Sequence, residues 1–317
     1  MLRKKNILLN GKKAAGNEKL QMGDSVKMFF SEKTFAGLCG QEKKGEDCAC
    51  LDKAAIVYED ADILILNKPP GLLSQKAKEG DVSAVEKIIG YLLKEGKLSR
   101  EEMRAFRPGV CNRLDRNTSG LLTAGKSLAG LQLLSALFKE RTLSKYYLCL
   151  VKGRLTEPKY IRGYLKKDGR ANRVEIISEK EEEGRNPGEQ DGAREEGSSL
   201  IETEYSPVAY AADRTLLKVR LLTGRSHQIR AHLASIGHPV LGDRKYGDAG
   251  WNSGFKKNYG VGSQMLHAYE LHFPQMEGEF SRLSEMEARA EVPSTFYRII
   301  EETAWEHGAQ EALEVLH

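Results

Sequence analysis

The sequence predicts an α+β fold, a largely antiparallel mixed sheet with flanking helices, preceded by a small N-terminal α/β fragment. Three observations carry that expectation. Runs rich in β-branched and aromatic residues arrive in pairs separated by short turn signals, the pattern of antiparallel neighbours. Segments with apolar residues at helical spacing fall irregularly among these pairs, without the strict alternation of a doubly wound parallel sheet. A chain of 317 residues, 40% hydrophobic, is long enough for one sizeable core with a smaller satellite.

Taken in order, "ILLNGKK" reads as a strand entering an Asn-Gly turn and "GDSVKMFF" as a turn followed by a strand, so residues 1–35 form a compact unit. Residues 36–53, "AGLCGQEKKGEDCACLDK", are Gly- and charge-rich and read as a linker. In "AAIVYEDADILILNKPPGLLSQ" two strands flank the turn "EDAD", and Pro-Pro-Gly ends the second. Helices follow near 82–95 and 126–140, then strands near 145–151, 160–165, 173–178, 200–210 and 215–222. A helix near 226–236, a strand near 265–273 and a helix near 294–305 complete a main domain over 54–305. Residues 179–199 are almost wholly polar and predict a mobile insertion between two strands, and residues 306–317 read as a C-terminal tail.

Composition excludes several classes. No apolar run approaches the ~18 residues of a membrane span, and the "ILL" after "MLRKKN" is too short for a signal-peptide core. Five scattered cysteines, an odd number, read as reduced thiols of a soluble cytoplasmic protein. Cys39, Cys48 and Cys50 lack paired Cys-x-x-Cys spacing and have no histidine nearby, so no metal site is expected. The net charge of +4 says little, but its distribution says more. Residues 1–35 hold eight Lys and Arg against three carboxylates, while residues 301–317 hold five Glu and no Lys or Arg. A basic head with an acidic end fits a polyanionic partner contacted by the N-terminal part.

Three stretches interrupt structure with polar residues where a core would prefer apolar ones. In "NRLDRNTSGLL", Asp115 lies between Arg113 and Arg116; alone, this also reads as a surface turn with an ion pair. In "LLTGRSHQIRAHLASIGHPVLGDRKYG", Gly224 ends a strand and Arg225 and Arg230 flank the start of a helix. His227 and His232 are five apart, which is not the i, i+4 pair of a zinc helix. In "SKYYLCLVKG", Tyr147, Cys149 and Val151 share one strand face while Tyr146 and Leu148 take the other, a pattern that core packing alone also explains.

Together with "LILNKPPGLLSQ" and the weaker "MLHAYELHFP", these segments resemble the RluA/RluC-type pseudouridine synthases, in family order over roughly residues 54–300. "LRKKNILLNGKKA" and "LQMGDSVK" resemble the later part of the small RNA-binding domain named after a ribosomal small-subunit protein. In the family a helix precedes that point, so the resemblance implies a partial domain here and favours a start assigned to an internal methionine.

The resemblance implies the pseudouridine synthase fold and isomerisation of uridine in RNA, with no cofactor and no metal. It implies an RNA partner, no membrane and a monomer. Large-subunit ribosomal RNA is the expected substrate, with transfer RNA or dual specificity as the sister reading and a non-catalytic RNA-binding factor as the reading from another class. The chemistry needs one ionised carboxylate near the sugar, either to attack the anomeric carbon or to take a proton from the neighbouring ribose carbon. Asp115 is that carboxylate by position in the motif. Burial would push an aspartate towards neutrality, and a nearby guanidinium reverses this. The resemblance assigns that guanidinium to Arg230, with phosphate binding as its alternative role. It makes Arg113 the residue filling the space of the extruded base, Tyr147 the aromatic packed on the uracil, and Leu266 an apolar wall. Lys4, Lys5, Lys12 and Lys13 are the expected RNA contacts of the N-terminal unit. Lys68 stays open between a phosphate contact and a structural turn. Asn112 departs from the family, which usually has histidine there.

Overall fold

The computed structural model describes residues 7–14, 18, 21–29, 31, 50–168, 173–178 and 198–316. The chain divides into two compact units, Met1–Cys48 and Ala49–His317.

The described part of the first unit is a three-stranded antiparallel sheet of β1 (Ile7–Leu9), β2 (Lys12–Lys13) and β3 (Val26–Met28), in the order β2-β1-β3. Asn10 and Gly11 both have positive φ, 48° and 78°, as a two-residue hairpin turn between twisted strands demands. The Asn10 side chain fixes the turn by donating to Asp24 and accepting the Ser25 N–H. Lys12 and Lys13 are exposed, and Lys4 and Lys5 lie outside the described residues.

The second unit is built on an eleven-stranded mixed sheet. Its strands are β4 (Ile56–Glu59), β5 (Ile63–Lys68), β6 (Gly109–Val110), β7 (Ser119–Gly125), β8 (Ser144–Lys152), β9 (Lys159–Asp168) and β10 (Arg173–Ser178), followed by β11 (Ser198–Tyr210), β12 (Arg214–Leu221), β13 (Leu266–His272) and β14 (Glu287–Arg289). The order is β10-β9-β11-β12-β8-β13-β7-β5-β4, with β14 on β13 and β6 on β7. All pairings are antiparallel except β13 with β7, where His267 faces Ser119 and Ala268 faces Gly120.

Helices cover both faces of this sheet, and β8 shows why. Tyr147, Cys149 and Val151 enter one core, shared with Ile88 and Leu92 of the helix Ala84–Lys94, Leu134 of Leu128–Glu140 and Ile229 of Gln228–Ser235. Leu148 and Leu150 enter the opposite core, with Phe255, Phe296 and Ile299 from the helices Ala249–Tyr259 and Ser294–Glu302. A strand buried on both sides needs apolar residues at every position, not alternation. Local signals set the helix ends. The Ser127 hydroxyl caps Leu128–Glu140 by accepting the Gly130 N–H at 3.0 Å, and the Asp248 carboxylate does the same for Ala249–Tyr259 from Trp251.

Several elements and boundaries, the unpredicted helix Ala249–Tyr259 among them, differ from the sequence reading. β7 was not legible as a strand, because "SGLLTAG" lacks β-branched bulk, yet all seven residues are buried. Its small residues serve close approach: a Cβ on Gly120 would sit 2.2 Å from the Ala268 carbonyl oxygen, and one on Gly125 2.4 Å from the Leu131 Cα. The linker expected over 36–53 ends sooner, since Leu51 is buried and donates its N–H to the Lys87 carbonyl; residues 36–49 of it lie outside the described residues. Of the polar insertion, 179–197 lies outside the described residues, while Ser198 and Ser199 already pair with Lys166 and Leu165. Residues 306–316 are no free tail. His307 pairs with Tyr210, and the helix Ala309–Glu314 buries Ala312 while Leu316 joins the second core. Two apolar side chains, Ala312 and Leu316, are too few for a periodic signal.

Candidate active site

Asp115 sits in the loop from β6 to β7, and the preceding motif holds that loop in shape. Asn112 accepts the Thr123 N–H at 2.8 Å and the Thr123 hydroxyl at 3.1 Å, and donates to the Leu121 carbonyl, so it ties the loop start to β7. The buried Ser74 hydroxyl donates to the Leu114 carbonyl and accepts the Leu114 N–H, both at 3.0 Å. The Gly71 N–H donates to the Arg116 carbonyl at 2.8 Å, and the Thr118 N–H closes a tight turn onto the Asp115 carbonyl.

Lys68 completes this cradle from inside. It is fully buried, and its ammonium donates to the carbonyls of Pro69, Leu72 and Arg116 at 3.0, 2.8 and 3.2 Å. Burial pulls this amine down to about 7, and the charge of Asp115 acts in the other direction. Three carbonyl acceptors match the three N–H donors of the charged form. Lys68 therefore shapes the Asp115 loop and does not face a phosphate.

The second long motif supplies the partner. The helix Gln228–Ser235 begins at His227, whose φ is 58°, and its first six residues are buried. A helix buried all round must satisfy its polar groups internally. Gln228 bonds Thr223, the Glu202 carbonyl and Thr203, and His232 bonds Thr203 at 3.0 Å. Arg230 reaches Asp115 Oδ2 through Nη1 at 2.7 Å, while its Nε and Nη2 engage Asp243 as a fork at 2.7 and 2.8 Å. Asp243 is itself fixed by the N–H groups of Lys245 and Tyr246. Burial opposes the Arg230 charge, but Asp243 and Asp115 outweigh it and raise the guanidinium's pKa. Burial likewise works against the Asp243 carboxylate, but Arg230 and the two N–H groups pull it below its usual range.

These groups border an open cavity of about 720 Å³ lined by Asp115, Arg230, Tyr147, Leu266 and Arg113, along with Lys139, Arg141, Lys145 and Arg225. Its size suits one nucleotide-sized guest. Tyr147 and Leu266 are 8% and 4% exposed, Arg113 is exposed at the rim, and the Asp115 side chain retains 25% exposure. Burial and the Asp115 charge both push the Tyr147 phenol upward, so it stays protonated. The five catalytic-unit residues named from the sequence thus border one space. Sequence reasoning passed over Asp243, although it lies inside a quoted motif, and over Lys145 two residues before Tyr147.

The two histidine candidates fall apart from each other, although His227 lines this cavity. His227 bonds the Tyr246 hydroxyl at 3.0 Å, and His232 faces Thr203, so the two histidines share no site. Among the described residues, no group of three or more His, Cys, Asp or Glu could hold a metal ion, and no helix is long and apolar enough to cross a membrane.

A carboxylate bonded to a buried guanidinium, in a cavity with an aromatic wall and a cationic rim, is an enzyme-like site suited to a nucleotide. The family model described as RNA pseudouridylate synthase matches residues 62–235. A Borreliella burgdorferi protein named ribosomal large subunit pseudouridine synthase D is 30% identical over 247 residues, covering 77% of this chain and 69% of that protein. A Vibrio cholerae protein named ribosomal large subunit pseudouridine synthase C is 30% identical over 314 residues, 94% and 87% of the two chains. In fold, human RNA pseudouridylate synthase domain containing 4 superimposes with a TM-score of 0.59 at 18% identity, covering 83% of this chain and 93% of that one. The chain belongs to the RNA pseudouridylate synthase family, and its reaction is the isomerisation of uridine to pseudouridine.

Proposed function

We propose that Asp115 is the reacting carboxylate of this isomerase and that its substrate is a uridine of large-subunit ribosomal RNA. The observation that carries the first part is the 2.7 Å bond between Arg230 Nη1 and Asp115 Oδ2 at the cavity floor. Arg230 offers one donor to Asp115 while Asp243 holds the rest of the guanidinium, so the carboxylate keeps its second oxygen for the substrate. Uridine in folded RNA is stacked and must be extruded, at a cost of a few kcal/mol. Arg113, exposed at the rim, then fills the vacated space with its planar guanidinium. Tyr147 then packs on the uracil, a contact worth ~1–3 kcal/mol per base, with Leu266 as the apolar wall.

In the reaction the glycosidic C1′–N1 bond breaks, the uracil turns within the cavity, a C1′–C5 bond forms, and the proton lost from C5 is balanced by one gained at N1. Asp115 serves either as nucleophile at the anomeric carbon or as base at the neighbouring ribose carbon. Ribosomal RNA as substrate is supported by the names of the two bacterial relatives. The basic N-terminal unit, which resembles a ribosomal-protein-type RNA-binding fragment, supports it too.

Pseudouridine profiling of ribosomal and transfer RNA from cells with and without the gene tests the substrate. Loss of specific sites in large-subunit RNA is expected; loss confined to transfer RNA would replace that assignment. Asp115→Asn should abolish product while leaving RNA affinity within a few-fold. Full activity in that variant would remove Asp115 from the chemistry, and no product on any RNA from the unmodified protein would leave a binding factor.

A further inference from the structure

Resting on the reading of this cleft as an RNA site, we propose that Lys145, with Arg141 and the backbone at Gly224, forms a subsite for an RNA backbone phosphate adjoining the extruded uridine. The cavity rim is strongly one-sided in charge. Among the described residues Arg113, Lys139, Arg141, Lys145 and Arg225 all line the cavity without an ion-pair partner, and the lining carboxylate, Asp115, is taken by Arg230.

Lys145 differs from the other rim cations. It is half-buried, and its Nζ would lie 3.9 Å from a Cβ placed on Gly224. Burial lowers its pKa, and Arg141 acts in the same direction. A desolvated ammonium beside a second cation, with no carboxylate paired to it, is an unfavourable arrangement that an incoming anion relieves. Lys145 also stands between two spaces. A second hollow of about 300 Å³ shares Arg141, Lys145, Leu221 and Leu222 with the main cavity and continues past Ser144 and Arg220. Glu202 lines that hollow, and its carboxylate is bonded by the Tyr160 hydroxyl.

Register supplies the identity of the anion. Lys145 and Tyr147 lie two apart on β8 and share a face, about 7 Å from each other along the strand. With a uracil on Tyr147, that spacing puts the ammonium where the backbone of the same or next nucleotide leaves the cavity. Arg141, at a left-handed helix end with φ 60°, lines both the main cavity and the second hollow alongside Lys145. The second hollow then carries the strand onward.

The test compares unmodified protein, Lys145→Met and Lys145→Arg on an unmodified transcript of large-subunit ribosomal RNA. Affinity is measured over a salt series and pseudouridine formation under single turnover at saturating RNA. For Lys145→Met we expect affinity to fall about 10-fold, the scale of one hydrogen bond to a charged group. The slope of log affinity against log salt should drop by about one, the saturated rate should stay within a few-fold, and Lys145→Arg should recover the slope. An unchanged slope in a Lys145→Met protein of normal thermal stability would overturn the subsite, as would a collapse of the saturated rate at unchanged affinity. If the unmodified protein binds the transcript but forms no pseudouridine, a reduced slope still supports the subsite while the substrate assignment fails.

Discussion

Asp243 takes two hydrogen bonds from Arg230, at 2.7 and 2.8 Å, and leaves one guanidinium nitrogen for Asp115. A single arginine thus bridges a buried carboxylate, which orients it, and a half-exposed one at the cavity floor. Asp243→Asn keeps the shape but cannot accept both bonds as an anion. Its expected effect is a fall in the single-turnover rate of about 10²-fold, the cost of misplacing a reacting group by about 1 Å, with RNA affinity nearly unchanged. Equal losses in rate and affinity would show that Asp243 does not act through Arg230. Removing the charge beside buried Arg230 should also cost stability, about 3–5 kcal/mol, read by urea unfolding.

Arg230→Lys should fail almost as badly as Arg230→Ala. A lysine ammonium is a point charge and cannot fork onto Asp243 while reaching Asp115. Rate measurement on both variants decides this; substantial activity in the lysine variant would mean that charge alone suffices.

For Tyr147, the aromatic face and not the hydroxyl is expected to matter. Tyr147→Phe should retain most activity, while Tyr147→Ala should lose ~1–3 kcal/mol of base stacking, roughly 5- to 150-fold. A phenylalanine variant as weak as alanine would assign a role to the phenol itself.

Gly120 has φ +105° and faces the Ala268 carbonyl directly behind the Asp115 loop. Gly120→Ala combines a strained conformation, about 1–3 kcal/mol, with a backbone clash that must part β7 from β13. The variant should unfold at clearly lower urea concentration and lose activity together with stability. Normal stability would refute the close approach.

Acid stability should carry the signature of two buried histidines. Burial lowers His232 and His267 from 6.5 to about 4 each. Unfolded histidine binds a proton below about pH 6.5 while the folded one stays neutral, so stability falls as pH drops from 6.5 towards 4. His267 accepts from the Ser119 hydroxyl through Nδ1 and donates through Nε2 to the Ala290 carbonyl. Unfolding free energies at pH 6.5 and 5 should differ less in His232→Gln than in the unmodified protein; an equal difference would exclude His232 as a source.

Legibility followed chemistry more closely than packing. The Asn10–Gly11 turn and the two-faced β8 were readable because turn geometry and side-chain alternation act within a few residues. Asp115 and Arg230 were readable only as motif positions; their contact spans 115 residues and exists only through the sheet. β7 was hidden because tight packing against β13 and Leu131 selects glycine and alanine over strand-favouring residues. Asp243 looked like an ordinary turn residue, since its partner is supplied by a helix folded back over it. Lys68 was ambiguous because an ammonium wrapped by carbonyls and one offered to phosphate look the same in sequence.

The place of β13 in the strand order bears on how the chain is made. It lies between β8 and β7, yet it is synthesised more than a hundred residues after either. Until Leu266–His272 has left the ribosome, the half-built sheet presents two open edges in its middle, where stray strands could pair. Closure late in translation makes the catalytic pocket, whose lining includes Leu266 of that strand, one of the last features to form.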